Sequence, residues 1–378
     1  MINEVVILRE CRIIFLSEPP YSIRCFALMI QTIQEFDTDK FIALIKGLKR
    51  IVLTSHINPD GDSLGSEIGF AEWLISIGKE VRVFNHSHIP ANYIFLDKEN
   101  PIIELFDAAK HEQAIQEADA FFLLDTNDPE RAKSLAPYIT SHKNPILIDH
   151  HLAPKDFTTK RFIDTEATST GEMIYRLITA AQKELGGTIS KKAAQALYVG
   201  IMTDTGSFRF PRTTSQTLRM SADLIDLGAD PVVTYDKTYN SAKPSRVLLI
   251  GKCLSSLKFF FDDRLATQVI MQKDLKDAGA LEEEVDGFVQ FPLQVSTVEF
   301  SIFILELREG WKVSFRSKGD KSAAEVSRHF GGNGHFHAAG ARIFEKKTFE
   351  ELHKEICDAV LVSLRGSPVG TTKQSPEV

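Results

Sequence analysis

One imidazole and two carboxylates, His56, Asp60 and Asp62, fall within the stretch IVLTSHINPDGDSLGS at residues 51–66. Groups of this kind so close together repel one another and lose hydration unless a cation or a strong set of donors compensates. A divalent metal is the simplest compensation. A second reading stays open for the loop alone: the Pro-Asp-Gly-Asp turn caps a helix, and His56 is satisfied by hydrogen bonds. A calcium loop of the EF-hand type is excluded, because its fifth position is Leu64 here.

Further acids and imidazoles close other apolar runs. AFFLLD ends in Asp125, PILIDHH ends in Asp149, His150 and His151, and the apolar run from 190 to 204 ends in Asp204. One aspartate at a strand end is usually a cap or turn former. Three successive strands ending in Asp or His converge on one edge of a sheet, and a buried acid after Ile201 and Met202 wants a positive partner. Mixed imidazole and carboxylate donors suit manganese better than magnesium, which prefers oxygen ligands and retained water. So many candidate ligands fit two ions better than one, and ions roughly 3.5 to 4 Å apart are the usual arrangement for hydrolysing phosphate esters. Asp149 is the first candidate for a supporting role behind the ligands.

A different signal lies near the C-terminus. GGNG, followed by His335 and the small residues Ala338, Ala339 and Gly340, lets backbone amides approach an anion closely. Around it, Lys312, Arg316, Lys318, Lys321, Arg328 and Arg342 outnumber Asp320 and Glu325. A glycine-rich turn is more often a tight loop than a phosphate cradle; Arg316 and His335 beside it favour the cradle.

These groups require elements to place them. Ile51, Val52 and Leu53 read as a buried strand, Asn58 to Gly61 as a break, and Ser63 as the cap of a helix running to Gly78, with a strand at 80–85 after it. An amphipathic helix with an Asp cap precedes them at 37–49. This alternation predicts a parallel α/β sheet with right-handed crossovers, in which strand-to-helix loops hold ligands at the carboxyl ends of the strands. A further helix is expected between 164 and 187, opened by Thr168, Ser169 or Thr170. Residues 228–245, with little clear period, read as a linker. Helix 246–258, strand 265–271, the run 296–307, strand 311–316 and helix 322–330 suggest a smaller mixed α/β domain. The expected division is therefore an N-terminal extension at 1–36, a catalytic domain at 37–227, the linker, a substrate domain at 246–362 and a disordered tail at 363–378.

Composition sets the outer limits. A chain of 378 residues and 42.3 kDa can hold two domains with proper cores. The net charge of -7 and pI near 5.9 argue against holding long nucleic acid by general electrostatics, while a small anionic substrate stays compatible with one local basic patch. Cys11, Cys25, Cys253 and Cys357 form no C-x-x-C pair, so neither a zinc finger nor a disulfide framework is suggested, and a reducing cytoplasm fits best. No apolar run is long enough for a membrane helix. Charges interrupt the first 30 residues too often for a signal peptide, and residues 1–28 read as an extension ahead of Met29.

HINPDGDSLGS, LLDTNDPER, LIDHH, ALYVGIMTDTGSFRF, and FRSKG with GGNGHFHAAG resemble the successive motifs of the DHH phosphoesterase family and its associated C-terminal domain, in family order over residues 50 to 343. Length and the lack of additional segments resemble its stand-alone oligoribonuclease and pAp phosphatase branch. The resemblance implies that His56 and Asp60 hold one manganese, that Asp62, His150 and Asp204 hold a second, and that Asp125 bridges both; magnesium or cobalt could substitute. It implies that His151 contacts the scissile phosphate while Asp149 orients its neighbours. Arg316, Ser317, Gly332, Gly334 and His335 would hold the far phosphate or sugar, with Arg131, Thr205 and Arg209 as weaker candidates. Asn333 stands where the family usually has a third glycine. The substrates implied are short RNA and pAp rather than long nucleic acid or a membrane, and a homodimer is allowed. Linear or cyclic dinucleotide phosphodiesterase, single-strand exonuclease, polyphosphatase and non-catalytic nucleotide binding are the alternatives.

Overall fold

The computed structural model describes residues 34–152 and 154–365, the side chain of His335 excepted. The expectations for residues 1–28 and for the last dozen residues fall outside that description. The chain forms two compact units that meet between Ser241 and Ala242. Among the described residues no helix is long and apolar enough to cross a membrane.

The first unit is built on seven strands: β1 (Gln34–Glu35), β2 (Arg50–Thr54), β3 (Glu80–Asn85), β4 (Ile103–Leu105), β5 (Ala120–Leu124), β6 (Pro145–Asp149) and β7 (Arg161–Asp164). Their order across the sheet is β1-β7-β6-β5-β2-β3-β4, parallel throughout except where β1 meets β7. Strands β2, β3 and β4 progress towards one edge. β5 then starts again on the other side of β2. The crevice at such a reversal, beyond the carboxyl ends of the central strands, is where open α/β sheets bind ligands.

Eight α-helices accompany these strands among the described residues, the first four between strands and the last four after β7: α1 (Thr38–Lys46), α2 (Gly61–Ser76), α3 (Ala108–Glu117), α4 (Ala136–Ser141), α5 (Thr170–Leu185), α6 (Lys191–Asp204), α7 (Ser215–Asp226) and α8 (Pro231–Tyr239). They cover both faces of the sheet. Ile51, Leu53, Phe122, Leu124, Ile146 and Ile148 point to one side, against Trp73, Ile174 and Leu197 of α2, α5 and α6. Val52, Phe121, Leu123 and Leu147 point to the other, against Ile115 and Ile139 of α3 and α4. Strands buried on both faces are continuous apolar runs, which is how they read in the sequence.

One expectation needs correction here. The cap of α2 is Asp60, not Ser63: the Asp60 carboxylate accepts from the amides of Asp62 and Ser63, and the Ser63 hydroxyl accepts from the Asp60 amide. The reciprocal pair satisfies donors on both sides of the helix start. Within the span expected to be a linker, residues 231–239 form α8. Asp230 caps it through the amides of Val232 and Val233, and Pro231 occupies the first helical position, where its fixed φ favours a helix.

α2 and α6 lie unusually close. A Cβ on Gly65 would stand 2.4 Å from the Ala196 carbonyl oxygen, so that crossing admits only glycine. It brings the first turn of α2 beside the last turns of α6.

The second unit has six strands, β8 (Lys258–Phe260), β9 (Leu265–Ile270), β10 (Phe300–Glu306), β11 (Trp311–Ser317), β12 (Asn333–His335) and β13 (Ala338–Ile343), ordered β12-β13-β11-β10-β9-β8. Only β9 and β10 run parallel. Helices α9 (Pro244–Ser255), α10 (Gln272–Ala278), α11 (Ala323–Arg328) and α12 (Phe349–Arg365) complete a mixed α/β layer. Phe300, Ile302, Val313 and Phe315 bury one sheet face against Leu352, Ile356 and Val360 of α12.

Candidate metal centre

The loops after β2, β5 and β6 and the end of α6 deliver His56, Asp125, His150 and Asp204 to one place, where the first turn of α2 adds Asp60 and Asp62. His56 Nε2 lies 3.5 Å from Asp125 Oδ2 and 3.8 Å from Asp60 Oδ2. His150 Nε2 lies 3.3 Å from Asp204 Oδ2, 3.7 Å from Asp125 Oδ1 and 3.8 Å from Asp62 Oδ2. One ligand atom from each of His56, Asp60 and Asp125 falls within 4.8 Å of the others, and the same holds for Asp62, His150 and Asp204. Asp125 faces both imidazoles, one oxygen to each.

Local bonds hold these side chains in ligand orientation. His56 Nδ1 is 2.9 Å from the Ile57 carbonyl and His150 Nδ1 is 3.3 Å from the Ala167 carbonyl, so each ring donates there and turns its Nε2 into the cluster. The Asp62 carboxylate accepts from the amides of Thr170 (2.7 Å) and Gly171 (2.8 Å), at the N-terminus of α5. The Thr170 hydroxyl donates to Asp125 Oδ1 at 3.1 Å. Gly171 and Gly200 leave the room Asp62 needs: a Cβ would stand 3.1 Å and 2.8 Å from its Oδ1. Asp125 has φ 58°, a left-handed backbone rare outside glycine, and its amide donates to the Ile148 carbonyl.

The electrostatics ask for positive charge. Burial, then the charges of Asp62, Asp60, Asp204 and Asp149, push the Asp125 carboxyl well above the usual range. Burial with Asp62 and Asp60 pushes Asp204 up to about 8. Asp62 also rises through burial, against the charge of His150 and the two amides. Burial lowers the pKa of His150, and its Nε2, wholly buried, has no hydrogen-bond partner. Carboxylates that cannot all ionise, around an imidazole nitrogen with nothing to bond, fit divalent ions bound at the two donor sets.

His151 stands differently. Its Nδ1 is 2.7 Å from Asp149 Oδ1, and Asp149 Oδ2 accepts from the His151 amide. Burial lowers its pKa, but the hydrogen bond and charge of Asp149 outweigh that and raise it overall. The ring is half exposed and is bonded to Asp149 through Nδ1, which leaves Nε2 available to another partner. Asp149 itself is fully buried.

Several supporting groups escaped the sequence reading. Arg212 donates to the carbonyls of Thr165 (3.0 Å) and Ala167 (3.2 Å), so it fixes the acceptor that orients His150. It lines a cavity of about 330 Å³ together with Thr168, Asp204, Phe210 and Thr213. Glu67, on α2 and wholly buried, accepts from Asn85 Nδ2 at 2.8 Å, and its other oxygen is unpartnered. Burial pushes its carboxyl up to about 8. None of these carries a local signal, because each partner is remote in sequence.

Arg131 has an exposed side chain, while its carbonyl accepts from the Ile57 amide and ties it to the His56 loop. Thr205 is buried and bonds back to the Ile201 carbonyl, and Arg209 Nε donates to the Gly206 carbonyl.

In the second unit Arg316 is half buried on β11 and donates to the Phe315 carbonyl; burial lowers its pKa. Ser317 is buried, and its hydroxyl bonds the Lys321 carbonyl. The glycine segment is not the open row of amides expected. Gly331, Gly332 and Gly334 donate to Arg328 O, Ser327 O and Asn333 Oδ1. Gly332 and Gly334 serve close packing instead, since a Cβ on either would meet Gly340 O or Ala338 O at 2.4 Å.

Comparisons with known proteins bear on both units. The model of the DHH family, N-terminal domain, matches residues 50–201, and that of the DHHA1 domain matches residues 263–361. The chain is 31% identical over 310 residues to the bifunctional oligoribonuclease and PAP phosphatase NrnA of Thermus thermophilus, covering 82% of this chain and 89% of that protein. It is 29% identical over 317 residues to the protein of the same name from Bacillus subtilis, covering 84% and 92%. Among solved structures, an exopolyphosphatase-related protein from Bacteroides fragilis aligns with a TM-score of 0.78 at 31% identity, covering 86% of this chain and 95% of that one.

Proposed function

The chain belongs to the DHH family of phosphoesterases, and on that premise we propose that it uses two manganese ions to hydrolyse short oligoribonucleotides and 3'-phosphoadenosine 5'-phosphate to mononucleotides. The observation that carries this reading is the position of Asp125, one oxygen towards each of two imidazole and carboxylate triads. His56 and Asp60 would hold one ion, Asp62, His150 and Asp204 the other, and Asp125 both. Bound there, the pair supplies an activated water and stabilises the attacking and leaving oxygens of an in-line displacement.

The chain's own groups do the rest. His151, held by Asp149 through Nδ1, donates from Nε2 to a non-bridging oxygen of the scissile phosphate, where charge develops. Thr170 and Gly171 keep Asp62 fixed without becoming ligands. Arg131 is assigned to the remainder of the nucleotide, and within the second unit, taken by itself, Arg316, Ser317 and His335 are assigned as nucleotide-binding residues. The free thiols of Cys253 and Cys357 support a cytoplasmic setting.

The test is turnover with manganese of pAp, pApA, RNA of two to five residues, long RNA and polyphosphate in parallel, with Asp125→Ala as control. Preference for pAp and the shortest RNAs, lost with Asp125→Ala, is expected. Equal turnover of long RNA, or unchanged activity in that variant, would refute the reading.

A further inference from the structure

The donors of the metal centre differ in exposure, and the difference shows where a substrate enters. The side chains of His56, Asp62, Asp125 and His150 are 6% exposed or less, whereas those of Asp60, His151 and Asp204 are 55%, 45% and 32% exposed. Near the rim made by Asp60 and Asp204, three tyrosines from two separate stretches of the first unit come together.

Helix α8 brings two of them. The Asp230 amide donates to Gln195 Oε1 and Gln195 Nε2 donates to Thr234 Oγ1, so α8 begins level with the start of α6 and packs along it. Nine residues further, about 13 Å along either helix, stand Asp204 on α6 and Tyr239 on α8. Tyr239 accordingly stands within electrostatic reach of Ser207, Arg209 and Asp204. Its ring is 5.0 Å from that of Tyr235, one turn earlier, at 59°. The third, Tyr93, packs with Leu64, Ile68, Ala196 and Val199 in the seam between α2 and α6, within electrostatic reach of Asp60 and Tyr239.

The folding of α8 does not account for this arrangement. Thr234 and Thr238 form its buried stripe, while Tyr235 and Tyr239 are 47% and 44% exposed. Two large rings left in solvent beside carboxylates cost hydrophobic free energy unless something flat covers them. The cluster of acids and ions accounts for a substrate's phosphate but offers nothing to an uncharged aromatic ring. Tyrosine faces do, and they accept any base because every base has a π-face.

We infer that Tyr235 and Tyr239, backed by Tyr93, form a stacking platform for the nucleobase next to the reacting phosphate. The inference rests on the nucleotide-phosphoester reading above. It assigns to the first unit a contact with the base that makes catalysis tolerant of sequence, while the phosphate sets position.

The test compares binding of AMP and of ribose 5-phosphate to the manganese-loaded enzyme by calorimetry. A base stacked on these rings makes AMP about tenfold tighter or more. The double variant Tyr235→Ala, Tyr239→Ala should bring the ratio close to one while ribose 5-phosphate binding is unchanged, and Tyr235→Phe, Tyr239→Phe should keep it. For an adenylyl dinucleotide, KM should rise by a similar factor in the alanine variant with kcat within about twofold. Equal binding of both ligands by the wild type, an unaltered ratio in the alanine variant, or equal loss of both ligands overturns the platform. A wild type that prefers AMP but never hydrolyses the dinucleotide overturns the phosphoesterase reading and leaves the platform standing.

Discussion

Replacing Glu67 by glutamine isolates the free energy of one buried proton. Glu67 has no exposure, one hydrogen bond from Asn85 and one unpartnered oxygen, and burial, with smaller contributions from Asp97 and Asp60, holds its carboxyl at about 8 against an ordinary 4.5. The folded pKa lies above the unfolded one. Between these values the folded chain keeps a proton that the unfolded chain gives up, so stability falls as pH rises through the window and the loss is complete above the folded value. The interval of 8 − 4.5 = 3.5 pH units corresponds to about 5 kcal/mol in full, and to about 4 kcal/mol between about pH 5 and about pH 8.5. The glutamine variant is neutral throughout and escapes this loss. The assay is urea unfolding of chelator-treated protein at both pH values, in a Trp311→Phe background that leaves Trp73 of α2 as the only one of the chain's two tryptophans. Wild type should lose about 4 kcal/mol more than Glu67→Gln across the range. Ions bound at Asp60 oppose its charge, so loading with manganese should shrink the difference. Parallel pH slopes in the two proteins would refute the argument that Glu67 is buried in its protonated form.

Two further substitutions test how the donors are held. Gly200→Ala places a methyl 2.8 Å from Asp62 Oδ1, and should weaken binding of the ion assigned to Asp62, His150 and Asp204 by about tenfold or more while the other site still fills, as read from metal stoichiometry by titration calorimetry. Arg212→Ala frees the Ala167 carbonyl that orients His150, and should lower metal affinity about 10- to 100-fold with the helical content by circular dichroism unchanged; undiminished affinity would show that the arginine only lines the neighbouring cavity.

The parts of this architecture that depend on local pattern were legible in the sequence. Strands β2, β5 and β6 are buried on both faces and so appear as unbroken apolar runs, and the polar residue that ends each one marks the ligand-bearing edge. The alternation of strands and helices then implies the parallel sheet. Less local features were not legible. α8 was hidden because it lacks a strong apolar period, although Asp230 followed by Pro231 announces a helix start by capping chemistry. The cap of α2 falls at Asp60 rather than Ser63 because the Asp60 carboxylate both accepts two amides of the helix start and faces His56, and one residue type in the sequence does not separate the two roles. The glycines after α11 were read as amide donors, but their spacing reflects how closely the hairpin of β12 and β13 approaches its neighbours. Arg212, Glu67 and Tyr93 meet their partners only through tertiary packing, so no window of sequence contains those contacts.

The left-handed backbone of Asp125 has a consequence for how this protein tolerates change. Glycine would adopt that conformation at no cost and would also remove the acid most crowded by its neighbours. Both effects favour the metal-free fold. The residue best suited to the backbone is therefore the one that would empty the centre, and selection for robustness alone would steer this position away from aspartate.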